Sequence, residues 1–471
     1  MKSTKPFMLM PKRNEKRTLV PSLRRLSLTV VSAMALAGDR SKRPSATGWL
    51  RIAGLIVVLL APAAAEARGG QQWFSAWTVS HNTRVTTPAL SGSTVRMIVR
   101  PTISGSALRV KLENTLGLTP VVFSAAYVGV VDSGAALVPG SNTQLTFGGS
   151  AGLTLAPGAG AYSDPVAFHV LAFQRLAVSL DVVSASDISV HVVGLTTNYF
   201  APGARAADTS AAGFAPVPEI PALNSGQWPF YWVASVDVQS PSTTGTVVAF
   251  GDSITDGRCS TRDANGIVHP DLYLRWTDVL SERIAALPAN QSKAIANEGI
   301  AGNRVVSGGN GPPALDRMDR DVLDRAGITH IIFFEGTNDI TGGATAATVI
   351  AGTQQVIDRA HAQDLSIIGV TVIPRGRPAP MTGWTTSFEQ QRLAVNAWMR
   401  TQANFDDLID FDALMQGPVV QLSDGGFAPS IRPDWNCDFT HPNTAGYNAM
   451  GEFIDLAIFE NIAAWAASHS H

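Results

Sequence analysis

Cysteine is scarce in this chain, which has only Cys259 and Cys437 among its 471 residues. Two cysteines are too few for the framework of several disulfides that holds small secreted domains together. They can form one bridge at most, and an oxidising compartment would allow that bridge to form.

Charge is also low. Charged residues make up 15% of the chain and apolar residues 45%, which is typical of a globular protein and argues against bulk disorder. Residues 1–67 hold 12 of the 35 Lys and Arg residues but only 3 of the 37 Asp and Glu residues, so residues 68–471 carry a formal charge near -11. Such an acidic chain lacks the basic surface that binds nucleic acid, so we predict no nucleic-acid partner.

The apolar run near the start of the chain is short for a membrane span. This run, Ile52–Ala65, ends in small residues, and Ala65-Glu66-Ala67 offers a cleavage site of the A-x-A type. We therefore predict a leader over residues 1–67, a mature start near Arg68, secretion or a periplasmic location, and no stable membrane insertion after cleavage. Arg24-Arg25 as part of a twin-arginine signal, a start codon assigned too early, and an uncleaved anchor are the alternatives.

Strand patterns fill residues 72–240. Leu108–Glu113 and Leu176–Val182 alternate apolar and polar residues, as strands with one buried and one wet face do. Turn-rich stretches separate these runs at fairly even intervals, and neither a helical period nor a sequence repeat is evident. The pattern predicts an all-β, sandwich-like domain. A boundary is predicted at residues 240–245, after which residues 245–471 form a second domain.

The second domain alternates strands with helices. Strands are predicted at 247–250, 293–297, 329–334, 366–373 and 408–411, and helices at 272–287, 314–325, 345–362, 389–404 and 444–467. This alternation predicts a mainly parallel sheet covered by helices on both faces, which is a three-layer α/β/α fold.

The stretch Thr246–Gly257 (TVVAFGDSITDG) is the most informative in the chain. A buried strand ends at Gly251, and Ser253 follows at the carboxyl end of that strand, where ligands bind in open α/β sheets. A plain turn is the alternative interpretation, since Gly, Asp and Ser are common turn residues. We predict that Ser253 is a nucleophile.

Three more stretches at predicted strand ends or in loops follow in order: NEGIAGNR at 297–304, EGTND at 335–339 and DFTHP at 438–442. Together with GDSITDG, they resemble the four blocks of the SGNH (GDSL) family of esterases and lipases. The resemblance covers residues 246–471, about half of the chain. It implies a flavodoxin-like arrangement of the α/β/α domain.

The resemblance also implies roles for individual residues. Ser253 is the nucleophile, His441 the general base and Asp438 the carboxylate that orients it. The oxyanion hole is implied to consist of the backbone N–H groups of Ser253 and Gly302 and the side-chain amide of Asn338. Asp434 is the alternative to Asp438, and Asn338 could instead serve only as a turn or helix cap.

These residue types suit ester cleavage on chemical grounds. A serine hydroxyl becomes a good nucleophile when a neighbouring base takes its proton, and a neutral imidazole does so near pH 7. A carboxylate behind the imidazole sets its tautomer, and preorganised donors stabilise the oxyanion. This chemistry needs no metal and no cofactor, so we predict neither.

If Ser253 and His441 meet, the loops that carry Cys259 and Cys437 must converge beside them. We therefore predict a disulfide between these two cysteines. Two segments of the first domain, 75–81 and 107–117, resemble the β-rich domain that precedes the catalytic domain in some bacterial SGNH esterases. Carbohydrate binding, shaping one wall of the site and simple packing all remain open as its role.

The predicted function is a secreted serine esterase that cleaves acetyl or short-acyl esters through an acyl-enzyme. Its expected partner is a small-molecule or polysaccharide ester substrate. A lipase or lysophospholipase for longer acyl chains is one alternative. An acyltransferase, and a carbohydrate-binding protein with a lapsed hydrolase domain, are the others.

Overall fold

The computed structural model describes residues 72–86, 90–217, 228–241, 243–288 and 291–460. The predicted leader, its cleavage site, the last residues of the predicted final helix and the C-terminal histidines lie outside this range. None of the helices in the described ranges has the length and apolarity needed to cross a membrane.

The first part of the structure is built from antiparallel strands. They are β1 (Gln72–Thr78), β2 (Thr83–Thr86), β3 (Ser93–Val99), β4 (Gly105–Glu113), β5 (Val121–Ser133), β6 (Ala136–Leu137), β7 (Thr143–Leu145), β8 (Leu153–Leu155), β9 (Gly160–Tyr162), β10 (Val166–Val170), β11 (Leu176–Ser184), β12 (Asp187–His191), β13 (Tyr199–Pro202), β14 (Ala215–Pro216), β15 (Phe230–Tyr231) and β16 (Val233–Ser240). The predicted β-rich region is confirmed.

Three sheets arrange these strands around one apolar core. One sheet has the order β1-β16-β4-β10, a second β14-β13-β3-β11-β5-β6, and a third β15-β12-β2. The alternation in β4 is confirmed, since Leu108, Val110 and Leu112 are fully buried in the core. Trp232 adopts a positive φ of 55° and so separates β15 from β16.

The second part is built on a parallel sheet. Its strands are β17 (Thr246–Gly251), β18 (Ala294–Gly299), β19 (Ile328–Phe334), β20 (Ser366–Val370) and β21 (Asp407–Ile409), in the order β18-β17-β19-β20-β21. This is the flavodoxin-like order, in which the first strand lies beside the second and the third. The predicted fold class is therefore confirmed.

Helices and one hairpin surround this sheet. The helices are α1 (Ser253–Asp256), α2 (Trp276–Ala285), α3 (Ala314–Met318), α4 (Thr337–Thr341), α5 (Ala346–His361), α6 (Thr386–Thr401), α7 (Phe411–Met415) and α8 (Thr444–Phe453). Two separate apolar clusters lie on the two faces of the sheet, as a sheet covered on both sides requires. A hairpin of β22 (Gln416–Gln421) and β23 (Phe427–Ile431) was not expected from the sequence.

Local chemistry explains where the long helices begin. The side chain of Thr345 accepts the N–H of Thr348 at 3.2 Å and so caps α5. Along α5, Val349, Thr353 and Val356 recur at helical spacing on the buried face. The same device recurs at α6, where the hydroxyl of Thr385 accepts a backbone N–H.

Several predicted helix boundaries were wrong. The helix expected over 389–404 spans Thr386–Thr401, and the one expected over 444–467 ends at Phe453. The helix expected from Leu272 starts only at Trp276, and Leu272 is 49% exposed instead of buried. The helix expected over 314–325 changes to a π-helix at Asp319–Leu323, where the N–H of Asp324 reaches back five residues to the carbonyl of Asp319. The spacing of apolar residues in the sequence does not distinguish such a wider helical turn from an α-helical one.

The β-rich part packs directly against the edge strand of the parallel sheet. Ser80 donates to the buried carboxylate of Glu298 at 2.6 Å, and Arg325 pairs with the same carboxylate at 2.6 Å. Arg317 reaches both the Ser80 hydroxyl and the Glu298 carbonyl. The described residues form one compact unit, and the domain boundary placed at 240–245 stays a prediction.

Candidate active site

A sharp turn at the end of β17 presents Ser253. Asp252 caps α1 by accepting the N–H of Ile254 at 2.9 Å, and Ser253 is the first helical residue. A side chain at Gly251 would bring its Cβ to 2.2 Å from the Thr255 hydroxyl, so only glycine fits this position. Gly257 ends the helix at a φ of 100°, with its N–H on the Ser253 carbonyl.

The loop before α8 brings His441 to this serine. The distance from Ser253 Oγ to His441 Nε2 is 2.8 Å, and that from His441 Nδ1 to Asp438 Oδ2 is 2.9 Å. Because Nδ1 faces a carboxylate, it carries the ring proton, and Nε2 is left to accept from the serine hydroxyl. The geometry is that of a nucleophile, a base and an orienting acid in series.

Asp438, and not Asp434, faces the histidine. The backbone N–H groups of Thr440 and His441 both donate to Asp438 Oδ1, at 3.0 and 2.8 Å, so the loop itself holds the carboxylate in place. Asp434 lies in the short helix Pro433–Trp435 and offers its backbone carbonyl to Asn443.

Electrostatic effects keep Asp438 ionised and His441 neutral, which are the states that a general base and its orienting carboxylate require. Burial acts to raise the pKa of Asp438, but its hydrogen bonds to His441 and to the backbone outweigh burial and hold that pKa well below its usual range. Burial also lowers the pKa of His441 below its ordinary 6.5, and the charges of Arg375 and Arg258 lower it further against the pull of Asp438. His441 is therefore a neutral acceptor at pH 7.

Backbone donors lie on either side of the serine. Gly302 has a φ of 78°, and a Cβ there would come within 2.6 Å of Asn310 Nδ2, so the loop after β18 requires glycine. Among the described residues, no acceptor takes the N–H of Ser253 or of Gly302. Both groups are therefore available to an oxyanion.

Asn338 is placed differently from these two donors. Its Nδ2 donates to the Asn303 carbonyl at 2.9 Å and to Asp252 Oδ2 at 3.2 Å, so internal acceptors use both of its hydrogens. The contact with Asp252 is the longer of the two and so the one more easily exchanged, and burial raises the pKa of Asp252 to about 7. An oxyanion would have to displace Asp252 to receive this third hydrogen bond.

The two cysteines meet beside the histidine. Cys259 and Cys437 form a disulfide with a Cα–Cα distance of 6.4 Å, across a sequence separation of 178 residues. This bridge joins the loop after α1 to the loop that carries Asp438 and His441. A small recess next to it is lined by Leu195, Arg258, Cys259, Arg262 and Val268.

The same region contains the one group of possible metal ligands found among the described residues. Atoms of Cys259, Asp438 and His441 lie within 4.8 Å of one another. Metal binding needs a cysteine thiolate, and the Cys259 sulfur is already bonded to Cys437. These three residues do not form a metal site.

Some residues around the site were missed by sequence reasoning. His191 of β12 contacts Asp256 at the end of α1, and the buried guanidinium of Arg375 hydrogen-bonds Thr337 at the start of α4. The available signal was a titratable residue inside an apolar run for His191 and a charged residue directly after one for Arg375. Neither run indicates which distant residue will be the partner.

Comparison with protein families gives one match. Residues 249–449 match the family model described as "GDSL-like Lipase/Acylhydrolase family". No curated protein matches the chain at a significant level.

Solved structures with similar folds include a GDSL-like lipase from Bacteroides thetaiotaomicron, at 19% identity and a TM-score of 0.34, covering 46% of this chain and 89% of that chain. A carbohydrate acetylesterase family member from Sinorhizobium meliloti has 16% identity and a TM-score of 0.35, covering 46% of this chain and 99% of that one. An acetyl xylan esterase has 18% identity and a TM-score of 0.32, covering 47% and 98%.

Proposed function

Since residues 249–449 belong to the GDSL-like lipase/acylhydrolase family and the domain is a carboxylic ester hydrolase, we propose that the chain is a secreted esterase for acetyl or short-acyl esters of polar alcohols, such as sugars. The hydrogen-bonded series from Asp438 through His441 to Ser253 carries this proposal.

The proposed mechanism uses these side chains in order. Ser253 Oγ attacks the ester carbonyl while His441 Nε2 takes the hydroxyl proton, and Asp438 stabilises the resulting imidazolium. The N–H groups of Ser253 and Gly302 hold the oxyanion. His441 then gives its proton to the departing alcohol, which leaves an acyl group on Ser253. Water, deprotonated by His441, releases the acid and regenerates the serine.

The surroundings of the site support a polar alcohol. Two of the five residues that line the recess beside the disulfide, Arg258 and Arg262, are arginines, which suit a polar group of the substrate better than an apolar one. Export is supported by the disulfide between Cys259 and Cys437, because such bonds persist in oxidising compartments.

Turnover of p-nitrophenyl esters from acetate to palmitate, together with acetate release from acetylated xylan, tests this proposal. We expect the highest kcat/KM for the shortest acyl groups and no turnover by Ser253→Ala. Ser260→Ala is the matched control, because Ser260 is buried on the same segment and its hydroxyl has no partner among the described residues. A preference for palmitate would favour a lipase, and activity in folded Ser253→Ala would refute the nucleophile.

A further inference from the structure

A buried histidine of the β-rich part connects to the loop that carries Gly302. His191, at the end of β12, is 2% exposed, and its Nε2 lies 3.1 Å from Asp256 Oδ1. The other carboxylate oxygen, Asp256 Oδ2, accepts the N–H of Ala301 at 2.8 Å. Ala301 immediately precedes Gly302, so two consecutive hydrogen bonds lead from β12 to the oxyanion loop.

The partners of His191 define its protonation. Nδ1 lies 2.7 Å from the Ser80 carbonyl, which only accepts, so Nδ1 carries a hydrogen. Nε2 faces a carboxylate oxygen, so one further proton must lie between Nε2 and Asp256. Burial by itself lowers the pKa of His191, but Asp256 and the neighbouring carbonyl groups raise it above its ordinary value. The pair therefore shares a proton and holds Asp256 in one orientation.

Other contacts fix the same turn. Arg275 donates from Nε to the Asp256 carbonyl at 2.7 Å and from a terminal nitrogen to the Gly194 carbonyl, three residues beyond His191, at 2.9 Å. A Cβ on Gly299 would lie 2.2 Å from the Asp256 nitrogen, so the end of β18, just before the oxyanion loop, lies directly against the end of α1. The N-terminal part thus contacts the side chain of Asp256 directly through His191, and its Gly194 carbonyl is linked to the Asp256 backbone through Arg275.

We propose that His191 is a positioning residue for the oxyanion hole, acting through Asp256 on Ala301 and Gly302. The inference rests on the proposed function, since it assumes that Gly302 stabilises an oxyanion. An oxyanion donor must be held within a fraction of an ångström, and a misplacement of about 1 Å can cost about 10²-fold in rate. Asp256, at the end of α1, accepts a hydrogen bond from the oxyanion loop. His191 keeps Asp256 in the orientation that this hydrogen bond requires.

The first test compares two buried histidines of the β-rich part. His191→Leu removes the donor to Asp256 while keeping most of the side-chain volume. His81→Leu is the matched control, because His81 is also fully buried but its ring makes its hydrogen bond to Ser189 of the β-rich part and makes none to Asp256. We expect His191→Leu to lower kcat about 10–10²-fold with KM nearly unchanged, and His81→Leu to retain the wild-type kcat.

Rescue separates positioning from loss of stability. In His191→Gln, the side-chain amide can donate to Asp256, and we expect most of kcat to return. Asp256→Ala should resemble His191→Leu, and the double variant should be no slower than the slower single variant, because the two residues act in series. If His191→Leu does not fold, Asp256→Ala and His191→Gln supply the same comparison.

The possible results are distinct. Equal kcat values for His191→Leu and wild type, an effect on KM alone, or multiplied losses in the double variant would each overturn the role of His191 and leave the proposed function standing. A wild-type protein that turns over no ester overturns the proposed function and the role of His191 with it.

Discussion

At the scale of single residues, reactivity depends on which nitrogen of His441 carries a proton. Asp438 holds the hydrogen on Nδ1, and burial together with Arg375 and Arg258 keeps the ring neutral at pH 7. Because the ring is neutral, it does not have to lose a proton before Nε2 accepts the proton of the serine hydroxyl. These are local effects, and each can be tested by changing one side chain.

The dependence of kcat/KM on pH follows from this environment. A base whose pKa lies below 6.5 is active above that pKa and is lost as the pH falls through it, so kcat/KM should rise with one ionisation whose midpoint lies below 6.5. Arg258→Gln removes a positive charge that lowers the pKa of His441, so the midpoint should move upward. Arg262→Gln, four residues along the same loop, is the control. A profile that is flat from pH 4 to 8 would argue against a histidine base.

Asn338 provides a second prediction at this scale. Its amide must exchange the contact with Asp252 for one with the oxyanion, which exists chiefly in the transition state. Asn338→Ala should therefore lower kcat about 10²–10³-fold and leave KM almost unchanged, as measured by steady-state kinetics on the acetate ester. A change confined to KM would assign Asn338 to substrate binding.

At the scale of elements, the site is a meeting of chain segments that follow different strands. The loop after β17 carries Ser253, the loop after β18 carries Gly302, and the segment before α8 carries His441. Parallel strands place their carboxyl ends at one edge, which brings the first two together. The third is held by the disulfide and by the hydroxyl of Tyr447 on α8, which donates to the Arg258 carbonyl at 2.7 Å.

Removing the disulfide should destabilise the contact between these chain segments. The variant with both Cys259→Ser and Cys437→Ser frees a loop with a sequence separation of 178 residues, so the free energy of unfolding should fall by about 2–5 kcal/mol. Unfolding by urea, followed by intrinsic fluorescence, measures this change. Two alkylatable thiols in protein recovered from an oxidising compartment would contradict the bridge.

At the scale of the whole molecule, the β-rich part donates a hydrogen bond to a buried carboxylate of the parallel sheet. Glu298 contacts Ser80 on one side and Arg325 on the other, and both partners are fully buried. Separating the two parts would remove the hydrogen bond from Ser80 and leave Arg325 as the remaining partner of Glu298, and the loss of a hydrogen bond to a buried carboxylate is costly. The two parts therefore depend on each other for stability.

Thermal unfolding should accordingly be cooperative. We expect a single calorimetric transition for a protein that comprises residues 68–471, with the same midpoint when it is followed by tryptophan fluorescence and by circular dichroism. Two resolved transitions would show that the parts unfold independently. They would also remove the physical basis for an influence of His191 on the active site.

The sequence by itself determined the strand and helix pattern, the fold class and the short motifs around Ser253, Gly302, Asn338 and His441. These are local properties, because periodicity and turn chemistry act over a few residues, and the order of strands and helices restricts the topology. The pairing of Cys259 with Cys437 also followed, once two of those motifs were expected to meet.

Only the tertiary structure decided what distant residues do to one another. It placed Asp438 rather than Asp434 on the imidazole, engaged both hydrogens of Asn338 and joined His191 to Asp256 across the interface. The sequence pattern around a buried polar group requires that it have a partner but does not identify the partner. That choice depends on how the β-rich part packs against β18, and packing is a property of the whole chain.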